Sequence, residues 1–400
     1  MNRKEIAQTG KKLYSTENMC NEYMNEYDCG GRKERVLIID VNCKKSSTGK
    51  IVYDLYKALV RDGRNAAVCY GRGEDIKEEH IYKFGLDWET GIHALLARIT
   101  GYNGCFSPIS TRHLIKYIEK FNPDLIHINE LHAYFVNVKV LVNYIKRKNI
   151  PVVWTFHCEY MYTGKCGHAF ECSKFEKSCG SCPALREYPK SLFFDRTSQM
   201  LATKKKLFNN WEPTIVTPSR WLMDRVKLSF LKNKKIKVIY NGVDTSIFKP
   251  QDTSNLRYEL KIPEKCKVAL FVTPNIADEK KGGTWLFKIA EDLKEKNIIF
   301  LIVGGGDKTS YTVPSNVKFI GAIYDQNLLA QYYSLADIFL LCSKRETYSM
   351  TCAEALCCGT PVVGFKSGAP ETVFTEPYAK FVEYGDVEDM IGAIDEKIKL

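Results

Sequence analysis

The chain alternates short, continuously apolar runs with longer segments in which apolar residues recur every three or four positions. Runs of the first kind are typical of strands in a parallel sheet covered on both faces, and segments of the second kind are typical of amphipathic helices. The first half contains six such runs, RVLIID (35–40), NAAVCY (65–70), DLIHIN (124–129), PVVWTFH (151–157), PTIVTPS (213–219) and KIKVIYN (235–241). The second half repeats the plan with KVALFVT (267–273), NIIFLIVGGG (297–306), VKFIGAI (317–323), ADIFLLC (336–342) and TPVVGF (360–365).

This alternation predicts an α/β protein of two Rossmann-like domains, each a doubly wound parallel sheet, facing each other across a cleft. The predicted domains are residues 35–245 and 259–400, joined by a turn-rich linker at 246–258. Residues 1–34 mix charged, polar and aromatic residues without a continuous apolar segment, and we expect a poorly ordered extension there. Ligands should bind where the strands end at their carboxyl termini.

A Gly-Lys pair follows the first predicted strand in CKKSSTGKIV (43–52). A P-loop requires a glycine five residues before the Gly of that pair and a hydroxyl residue after the lysine. Lys44 and Ile51 occupy those positions, so the stretch is not a P-loop. Thr48 and Gly49 still stand where a helix begins, and helix N-termini bind anions. The stretch is therefore either a different phosphate loop or a plain strand-to-helix turn.

Two carboxylates, Glu346 and Glu354, are separated by seven residues in ETYSMTCAEALCCGTPVVGF (346–365). The pattern places Glu346 on the loop after a strand, Thr351 at a helix cap and Glu354 in the first helical turn. Carboxylates accept hydrogen bonds from vicinal sugar hydroxyls, and the N–H groups of residues 348–352 would hold a diphosphate. The alternative is a capping box, Thr351-x-x-Glu354, which needs no ligand.

The run from Val317 to Val373 resembles the donor-binding core of the retaining glycosyltransferases of family four, which have the GT-B fold. The resemblance is carried by VKFIGAI, LLAQYYSLADIFLLCS, the Glu346…Glu354-Ala355 spacing, CCGTPVV and GAPETV, with KKGGTWL and NGVDTSIFKP upstream. It extends over the chain from about residue 35 onward. YTGKC, CP, YPKS and PSRWL resemble in addition the branch linked to colanic acid-type exopolysaccharides, which has a cysteine-rich insertion.

The resemblance implies a role for each matching residue. Glu346 contacts the donor sugar, Glu354 the ribose hydroxyls and Lys281 the donor phosphates, while Gly49 belongs to the first-domain loop that faces them. His157, at the end of an apolar strand, contacts the sugar near the reacting centre; from the residues alone, the alternative is a strand-end or core histidine. The predicted donor-binding set is completed at the start of the helix by Tyr348, Ser349, Met350 and Thr351, which join Gly49, Lys281 and Glu354.

The activity implied by the resemblance is transfer of a hexose, with retention, from a nucleotide diphosphate sugar, UDP-linked, to a glycan or lipid-diphosphate-linked acceptor in exopolysaccharide, capsule or O-antigen synthesis. No cofactor is expected for catalysis. In the family an arginine commonly precedes the phosphate-binding lysine by about five residues, and this sequence has Asn275 and Ile276 there instead. It also has Cys158 where an acidic residue is common. Two rivals stay open, a nucleotide-sugar 2-epimerase and a non-catalytic GT-B binding scaffold.

An insertion at 158–183 contains five of the 15 cysteines, four of which lie close together at 166–182. Cys166, Cys172, Cys179 and Cys182 are spaced x5, x6 and x2, and this set of thiols is able to ligate a structural zinc. A reduced thiol cluster, disulfides and an iron–sulfur centre are the alternatives. Separately, GGGD (304–307) follows a strand without completing a glycine-rich phosphate motif, which predicts a tight turn.

The net charge of +11 is concentrated in residues 141–240, with 19 Lys and Arg against 7 Asp and Glu. A basic face suits an anionic partner, although solvated surface is the simpler explanation. No signal peptide or run of about 20 apolar residues is present in the sequence, which predicts a cytoplasmic protein. Basic residues near 186–206 and 232–237 would contact an anionic membrane at its inner face. Nucleic acid is disfavoured because the patches lack interleaved aromatic residues.

Overall fold

The computed structural model describes residues 2–28, 30–306 and 312–399. The chain divides into two compact units. The N-terminal unit is Met19–Tyr240, and the C-terminal unit combines Met1–Asn18 with Asn241–Leu400.

The N-terminal unit is built on a parallel sheet in which, over the described residues, seven strands have the order β3-β2-β1-β4-β5-β6-β7. The strands are β1 (Arg35–Asp40), β2 (Asn65–Tyr70), β3 (Ile81–Lys83), β4 (Leu125–Ile128), β5 (Val152–Thr155), β6 (Thr214–Thr217) and β7 (Ile236–Val238). The helices of this part of the chain are α2 (Thr16–Tyr27), α3 (Ser47–Arg61), α4 (Asp87–Thr100), α5 (Pro108–Phe121), α6 (Val138–Arg147), α7 (Thr197–Phe208) and α8 (Arg220–Lys227). They follow α1 (Arg3–Tyr14), which belongs to the other unit.

The C-terminal unit has a parallel sheet of six described strands in the order β10-β9-β8-β11-β12-β13. The strands are β8 (Lys267–Asn275), β9 (Ile298–Gly305), β10 (Val317–Gly321), β11 (Ile338–Leu341), β12 (Val362–Phe365) and β13 (Ala379–Val382). Its further helices are α9 (Ser254–Glu259), α10 (Gly283–Asp292), α11 (Gln326–Leu335), α12 (Met350–Cys357), α13 (Pro370–Val373) and α14 (Val387–Ile398). The predicted α/β class with parallel sheets is confirmed in both units.

The central strands are buried along almost their whole length, because helices cover both faces of each sheet. Each strand predicted from a continuous apolar run is present. The two that the sequence analysis did not predict, β3 and β13, lie at sheet edges and are only three and four residues long. Runs as short as these carry too little periodicity to be told from loops.

The expectation of a poorly ordered N-terminal extension is wrong, because residues 3–27 form two packed helices. In α1, the Arg3 guanidinium donates to the carbonyls of Ser334 and Ala336 and to the Thr360 hydroxyl, at 2.6, 2.8 and 2.9 Å. Gly10 lies so close to α12 that an added Cβ would be 2.9 Å from the backbone nitrogen of Cys357. The first helix is therefore part of the packing of α12.

The second helix belongs to the N-terminal unit and supports the end of β5. Its Tyr23 hydroxyl is 2.8 Å from the Thr155 hydroxyl, and its Tyr27 hydroxyl is 2.6 Å from His127 Nδ1. His127 Nε2 closes the network at 2.8 Å from the same Thr155 hydroxyl. Burial lowers the pKa of His127 to about 3, so its ring is neutral at physiological pH.

The predicted linker 246–258 is not a separate segment in the structure. It lies in the C-terminal unit and runs into α9. The second segment of the C-terminal unit begins at Asn241. The predicted tight turn at 304–307 lies partly outside the described residues, which include Gly304, Gly305 and Gly306 but not residue 307.

Candidate functional site

The strand order of the C-terminal sheet reverses between β8 and β11, which are neighbours although β9 and β10 separate them in sequence. Such a switch point opens a crevice at the carboxyl ends of the strands, and ligands of doubly wound folds bind there. The loop after β8 carries Lys281, and the loop after β11 carries Glu346. Residues that the sequence separates by 65 positions therefore meet at one edge.

Lys281 and Glu346 are in direct contact, with 2.8 Å between the Lys281 Nζ and the Glu346 Oε1 atoms. Their side chains are 31% and 20% exposed, so both remain accessible to a ligand. The adjacent Gly282 has a positive φ of 78°, and a Cβ there would be 2.0 Å from the carbonyl oxygen of Cys342. Only glycine allows the lysine loop to lie this close to the end of β11.

The main chain of Glu346 is fixed on both sides by the loop that follows β12. Its N–H donates to the Ser367 carbonyl at 2.9 Å, and its carbonyl accepts from the Ala369 N–H at 3.1 Å. The carboxylate is thus presented from a backbone that is held independently of the salt bridge. The sequence analysis identified this glutamate but not the segment that positions it.

The helix α12 begins at Met350, two residues earlier than a cap at Thr351 would place it. Ser349, not Thr351, is the cap: its hydroxyl accepts from the Cys352 N–H at 3.4 Å. Thr351 lies within the first turn, 3.1 Å from the Ser349 hydroxyl, and Glu354 lies in the second turn. The alternative of a Thr351-x-x-Glu354 capping box is therefore excluded, and the ligand role of Glu354 stays a prediction.

Glu354 accepts a hydrogen bond from the Tyr333 hydroxyl of α11 at 2.9 Å. Tyr333 is fully buried, so it orients one carboxylate oxygen without contacting solvent. Tyr348, which the sequence analysis placed in the donor site, is also buried, and its hydroxyl donates to the Asn241 carbonyl at 2.9 Å. Its side chain therefore takes part in the packing of the unit, and the donor-binding role of Tyr348 stays a prediction.

In the N-terminal unit the strand order reverses between β1 and β4. Gly49 lies in the first turn of α3, after β1, as predicted. Its N–H is already satisfied by the Ser46 hydroxyl at 3.2 Å, and a Cβ would be 3.2 Å from the Asn42 carbonyl carbon. This glycine therefore serves close packing of the loop, which agrees with the turn interpretation and leaves its phosphate role a prediction.

His157 follows β5 and is 9% exposed. Its Nε2 atom is 3.0 Å from Asn129 Oδ1, on the loop after β4. Burial lowers the pKa of His157 below its usual value, although the neighbouring Glu130 opposes the shift. A neutral imidazole at this position is suited to hydrogen bonding rather than to carrying charge.

Three side chains that the sequence analysis did not assign meet beside His157: Glu130, His132 and Cys158. His132 Nε2 is 2.8 Å from Glu130 Oε2, and Cys158 Sγ is 3.4 Å from the same oxygen. One potential metal-ligating atom from each of the three lies within 4.8 Å of the other two. The departure from the family pattern at Cys158 was the available signal, but the sequence did not reveal its partners.

The four cysteines of the insertion do not form such a group. Among the described residues, Glu130, His132 and Cys158 are the one set of three whose ligand atoms converge within 4.8 Å. Cys166 and Cys182 interact with each other, which raises the pKa of Cys166 and lowers that of Cys182 to about 6. Cys179 Sγ instead accepts a hydrogen bond from the Gly164 N–H at 3.3 Å. None of these four thiols is part of a disulfide, and the zinc site predicted for them stays a prediction.

Several lysines of the predicted basic face are engaged within the N-terminal unit. Lys235 and Lys237 both form ion pairs with Glu26 of α2, and Lys234 pairs with Glu212. Lys204 is buried, and its ammonium donates to the Thr163 carbonyl at 2.9 Å. Burial lowers its pKa to about 7. Much of the local positive charge is therefore structural.

Comparisons with known proteins bear directly on these features. A family model described as Glycosyltransferase Family 4 matches residues 48–247, half of the chain, and one described as Glycosyl transferases group 1 matches residues 266–399. The chain belongs to glycosyltransferase family 4. The resemblance read from the motifs is confirmed.

This family 4 chain is similar over most of its length to WcaC of Escherichia coli (strain K12), which is described as a colanic acid biosynthesis glycosyl transferase. The two are 26% identical over 377 residues, which cover 89% of this chain and 89% of WcaC. The exopolysaccharide-type branch suggested by the cysteine-rich insertion has its counterpart in this relative.

Solved structures with the same fold include sucrose-phosphate synthase from Thermosynechococcus elongatus, with a TM-score of 0.65, 19% identity and coverage of 91% of this chain and 89% of that one. A second is Anabaena Alr3699/HepE in complex with UDP and glucose, with a TM-score of 0.60, 18% identity and coverage of 92% and 90%. Identities this low show the fold alone, and they confirm the GT-B assignment.

Proposed function

We propose that this glycosyltransferase moves a hexose, with retention of anomeric configuration, from a nucleotide diphosphate sugar, UDP-linked, to a glycan or lipid-diphosphate-linked acceptor in exopolysaccharide, capsule or O-antigen synthesis. The observation that carries the proposal is the contact between Lys281 and Glu346 at the switch point of the C-terminal sheet. A cation for a diphosphate and a carboxylate for sugar hydroxyls stand side by side there. WcaC, a relative over most of the chain, supports the polysaccharide context.

The donor diphosphate gains negative charge as the glycosidic bond breaks. Lys281 is the cation proposed to stabilise it, and the first N–H groups of α12 add the positive end of the helix dipole. The ammonium would exchange the Glu346 carboxylate for diphosphate oxygens, which frees Glu346 to accept from the sugar. Glu354, oriented by Tyr333, would bind the ribose hydroxyls. HepE, which shares the fold, is known in complex with UDP and glucose.

The remaining roles concern the sugar and the acceptor proton. We assign His157 the sugar contact that the family resemblance gives it, as a neutral hydrogen-bonding group. An oxygen of the departing diphosphate takes the acceptor proton, so no general base of the protein is required. Ile276 lies where an arginine is common in the family, and its side chain is buried. Lys281 therefore carries a larger share of the charge stabilisation.

The direct test is nucleotide release from UDP-, GDP- and ADP-sugars, with and without a bacterial membrane lipid extract. We expect release of one nucleotide that rises with the extract. Conversion of the free donor without an acceptor would identify a 2-epimerase, and silence across the panel in folded protein would favour a binding scaffold. Either result would overturn the proposal.

Site variants sharpen this test. Lys281→Met should lower kcat about 10²- to 10³-fold, as expected for loss of a group that stabilises transition-state charge. Glu346→Gln should abolish transfer without unfolding the chain. Lys366→Met is the matched control, because Lys366 forms an exposed ion pair with Glu383 in the same unit. Equal turnover of the Lys281 and Lys366 variants would refute the site.

We also propose that the protein binds an anionic membrane surface and takes its acceptor from that surface. The described residues contain no helix long and apolar enough to cross a bilayer. One face of α4 is nevertheless apolar and exposed, with Trp88, Ile92, Leu95 and Ile99 at 57%, 49%, 55% and 38%. Their spacing of four, three and four residues places all of them on one side of the helix.

A neighbouring loop extends this surface. Leu192, Phe193 and Phe194 are 48%, 69% and 50% exposed, and the Leu192 N–H donates to the Arg98 carbonyl at 2.8 Å, near the end of α4. Exposed Arg98 and Lys190 flank the aromatic residues. Apolar groups bordered by cations suit the interface of an anionic bilayer.

Co-sedimentation with phosphatidylglycerol-containing vesicles tests this surface. Leu95→Ser combined with Phe193→Ser should release the protein from the vesicles, whereas Tyr258→Ser, which changes an even more exposed aromatic residue in the other unit, should not. Binding that is unchanged in the double variant, or indifferent to anionic lipid, would contradict the membrane proposal while leaving the transferase proposal standing.

A further inference from the structure

The side chains Glu130, His132 and Cys158, which we call the triad, are brought together by the fold from two adjacent strands. Glu130 and His132 lie on the loop after β4, and Cys158 lies just after β5. These strands are neighbours in the sheet, so their carboxyl ends present a carboxylate, an imidazole and a thiol to one point. Glu130 is buried, and the other two are partly exposed, which leaves one side open.

The spacing of these atoms approaches that of a tetrahedral zinc site. Zinc bonds of about 2.0–2.1 Å to nitrogen or oxygen and about 2.3 Å to sulfur imply ligand separations of about 3.3 Å for N···O and about 3.5 Å for S···O. The observed separations from Glu130 Oε2 are 2.8 Å to His132 Nε2 and 3.4 Å to Cys158 Sγ. An outward shift of the imidazole by roughly half an ångström would bring the nitrogen–oxygen separation to the value expected for zinc ligands.

Outer contacts support the same arrangement. The second ring nitrogen of His132 is 3.5 Å from the Tyr188 hydroxyl, and metal-bound histidines usually have such a partner on the nitrogen that does not bind the metal. The Glu130 N–H donates to Asp40 Oδ1 at 3.0 Å, which fixes the start of the loop.

A thiol nucleophile activated by a histidine would have a different geometry. In such a relay the carboxylate binds one ring nitrogen and the nucleophile faces the other. Here His132 Nε2 is 2.8 Å from the carboxylate, Nδ1 is 3.5 Å from the Tyr188 hydroxyl, and the Cys158 thiol contacts the carboxylate itself as well as the imidazole. Three different donor atoms around one point, with a ring nitrogen directed between them, are instead what a borderline-soft divalent ion requires.

We propose that Glu130, His132 and Cys158 form a binding site for a single zinc ion with a fourth coordination position open to water or an oxygen ligand. Three protein ligands with one open position distinguish this site from a structural zinc with four cysteines. The proposal is independent of the donor chemistry assigned to Lys281 and Glu346, and it is distinct from the zinc predicted for Cys166, Cys172, Cys179 and Cys182.

The test is the zinc content of the full-length protein after equilibrium dialysis against a zinc-buffered solution. We expect the wild-type chain to bind one equivalent more than Glu130→Gln, His132→Gln or Cys158→Ser, whatever the other four cysteines bind, because Cys166, Cys172, Cys179 and Cys182 are unchanged in all of these variants. Cys105→Ser and His80→Gln are matched controls, since both are partly or largely exposed and lie outside the triad. They should bind as much as the wild type.

Cobalt provides a second readout. Titration with Co²⁺ should give a thiolate-to-cobalt charge-transfer band that is reduced in Cys158→Ser and unchanged in Cys105→Ser. If Cys158→Ser fails to fold, as judged by circular dichroism, His132→Gln decides the outcome, because its side chain is partly exposed. Equal zinc content in wild type and in every folded triad variant would overturn the proposal and identify the contact as an ion pair with a neighbouring thiol.

Discussion

Because α1 packs closely against α12 at Gly10, we expect a larger side chain at this position to destabilise the protein. The perturbation is Gly10→Val, and its matched control is Gly392→Val in α14 of the same unit. A Cβ at Gly10 would lie 2.9 Å from both the Cys357 nitrogen and the Leu356 carbonyl carbon, which are backbone atoms, whereas one at Gly392 would meet nothing within 4 Å. Both glycines are helical, so the change in helix propensity is the same at the two positions.

The magnitudes decide the sign at each position. Replacing glycine by valine inside a helix gains about 0.3–0.5 kcal/mol of propensity. Forcing extra atoms into a packed contact costs about 1–3 kcal/mol, and valine adds two further methyl groups beyond the Cβ that already collides. Gly10→Val should therefore lower the free energy of unfolding by about 1–3 kcal/mol, while Gly392→Val should leave it unchanged or raise it slightly.

The assay is denaturant unfolding combined with hydrogen exchange of the peptide that contains α12, because two units need not unfold as one transition. Gly10→Val should accelerate exchange in residues 350–357, and Gly392→Val should not. If the two variants had equal stability and equal exchange, α1 would not be packed against α12, and the reasoning would be refuted.

Three further predictions concern other contacts. Tyr333→Phe removes the hydrogen bond to Glu354 and should raise the donor KM several-fold with a smaller change in kcat; an unchanged KM would show that Glu354 needs no positioning. His127 has a folded pKa of about 3, below its unfolded value, so its contribution to stability is present above about pH 6.5 and is lost as pH falls towards that folded pKa. Relative to His127→Gln, the wild type should therefore lose about 2 kcal/mol between pH 6.5 and 5, and parallel pH curves would contradict this. Replacing Cys172 and Cys179 together by serine should remove the zinc predicted for the insertion, as measured by elemental analysis, and an unchanged zinc content would argue against that site.

The parallel sheets were predictable because buried strands such as β1 and β11 are continuous apolar runs that owe little to distant partners. The family motifs likewise located Lys281 and Glu346, although only the strand order explains why they touch. The N-terminal helices were missed because their apolar residues, such as Ile6 and Tyr14 or Tyr23 and Tyr27, are separated by polar ones. Their eight- and four-residue spacing is compatible with one helix face, but composition alone suggested disorder.

The features that could not be predicted from the sequence depend on contacts between residues that are far apart in the chain. Nothing local marks Lys235 as the partner of Glu26, so a stretch of lysines was read as an open basic face. The sequence analysis predicted Thr351 as the helix cap, whereas the structure has Ser349 in that role. Ser349 has a φ of 87°, which local propensity does not predict for serine. The triad was hidden for the same reason, since Cys158 acquires its neighbours only when β4 and β5 pair.

The placement of α1 also has a consequence for synthesis of the chain on the ribosome. The Tyr14 hydroxyl donates to the Val373 carbonyl, and these residues are 359 positions apart. The first helix therefore cannot make its native contacts until nearly the whole chain has been synthesised. At roughly 5–20 residues per second this delay is roughly 20–70 s. During that interval Ile6 and Tyr14 have no native surface to cover them, and the nascent helix is a natural client for a chaperone. A bulky fusion placed directly before Arg3 would interfere at this late docking step, and its effect would appear as poor yield rather than as lost catalysis.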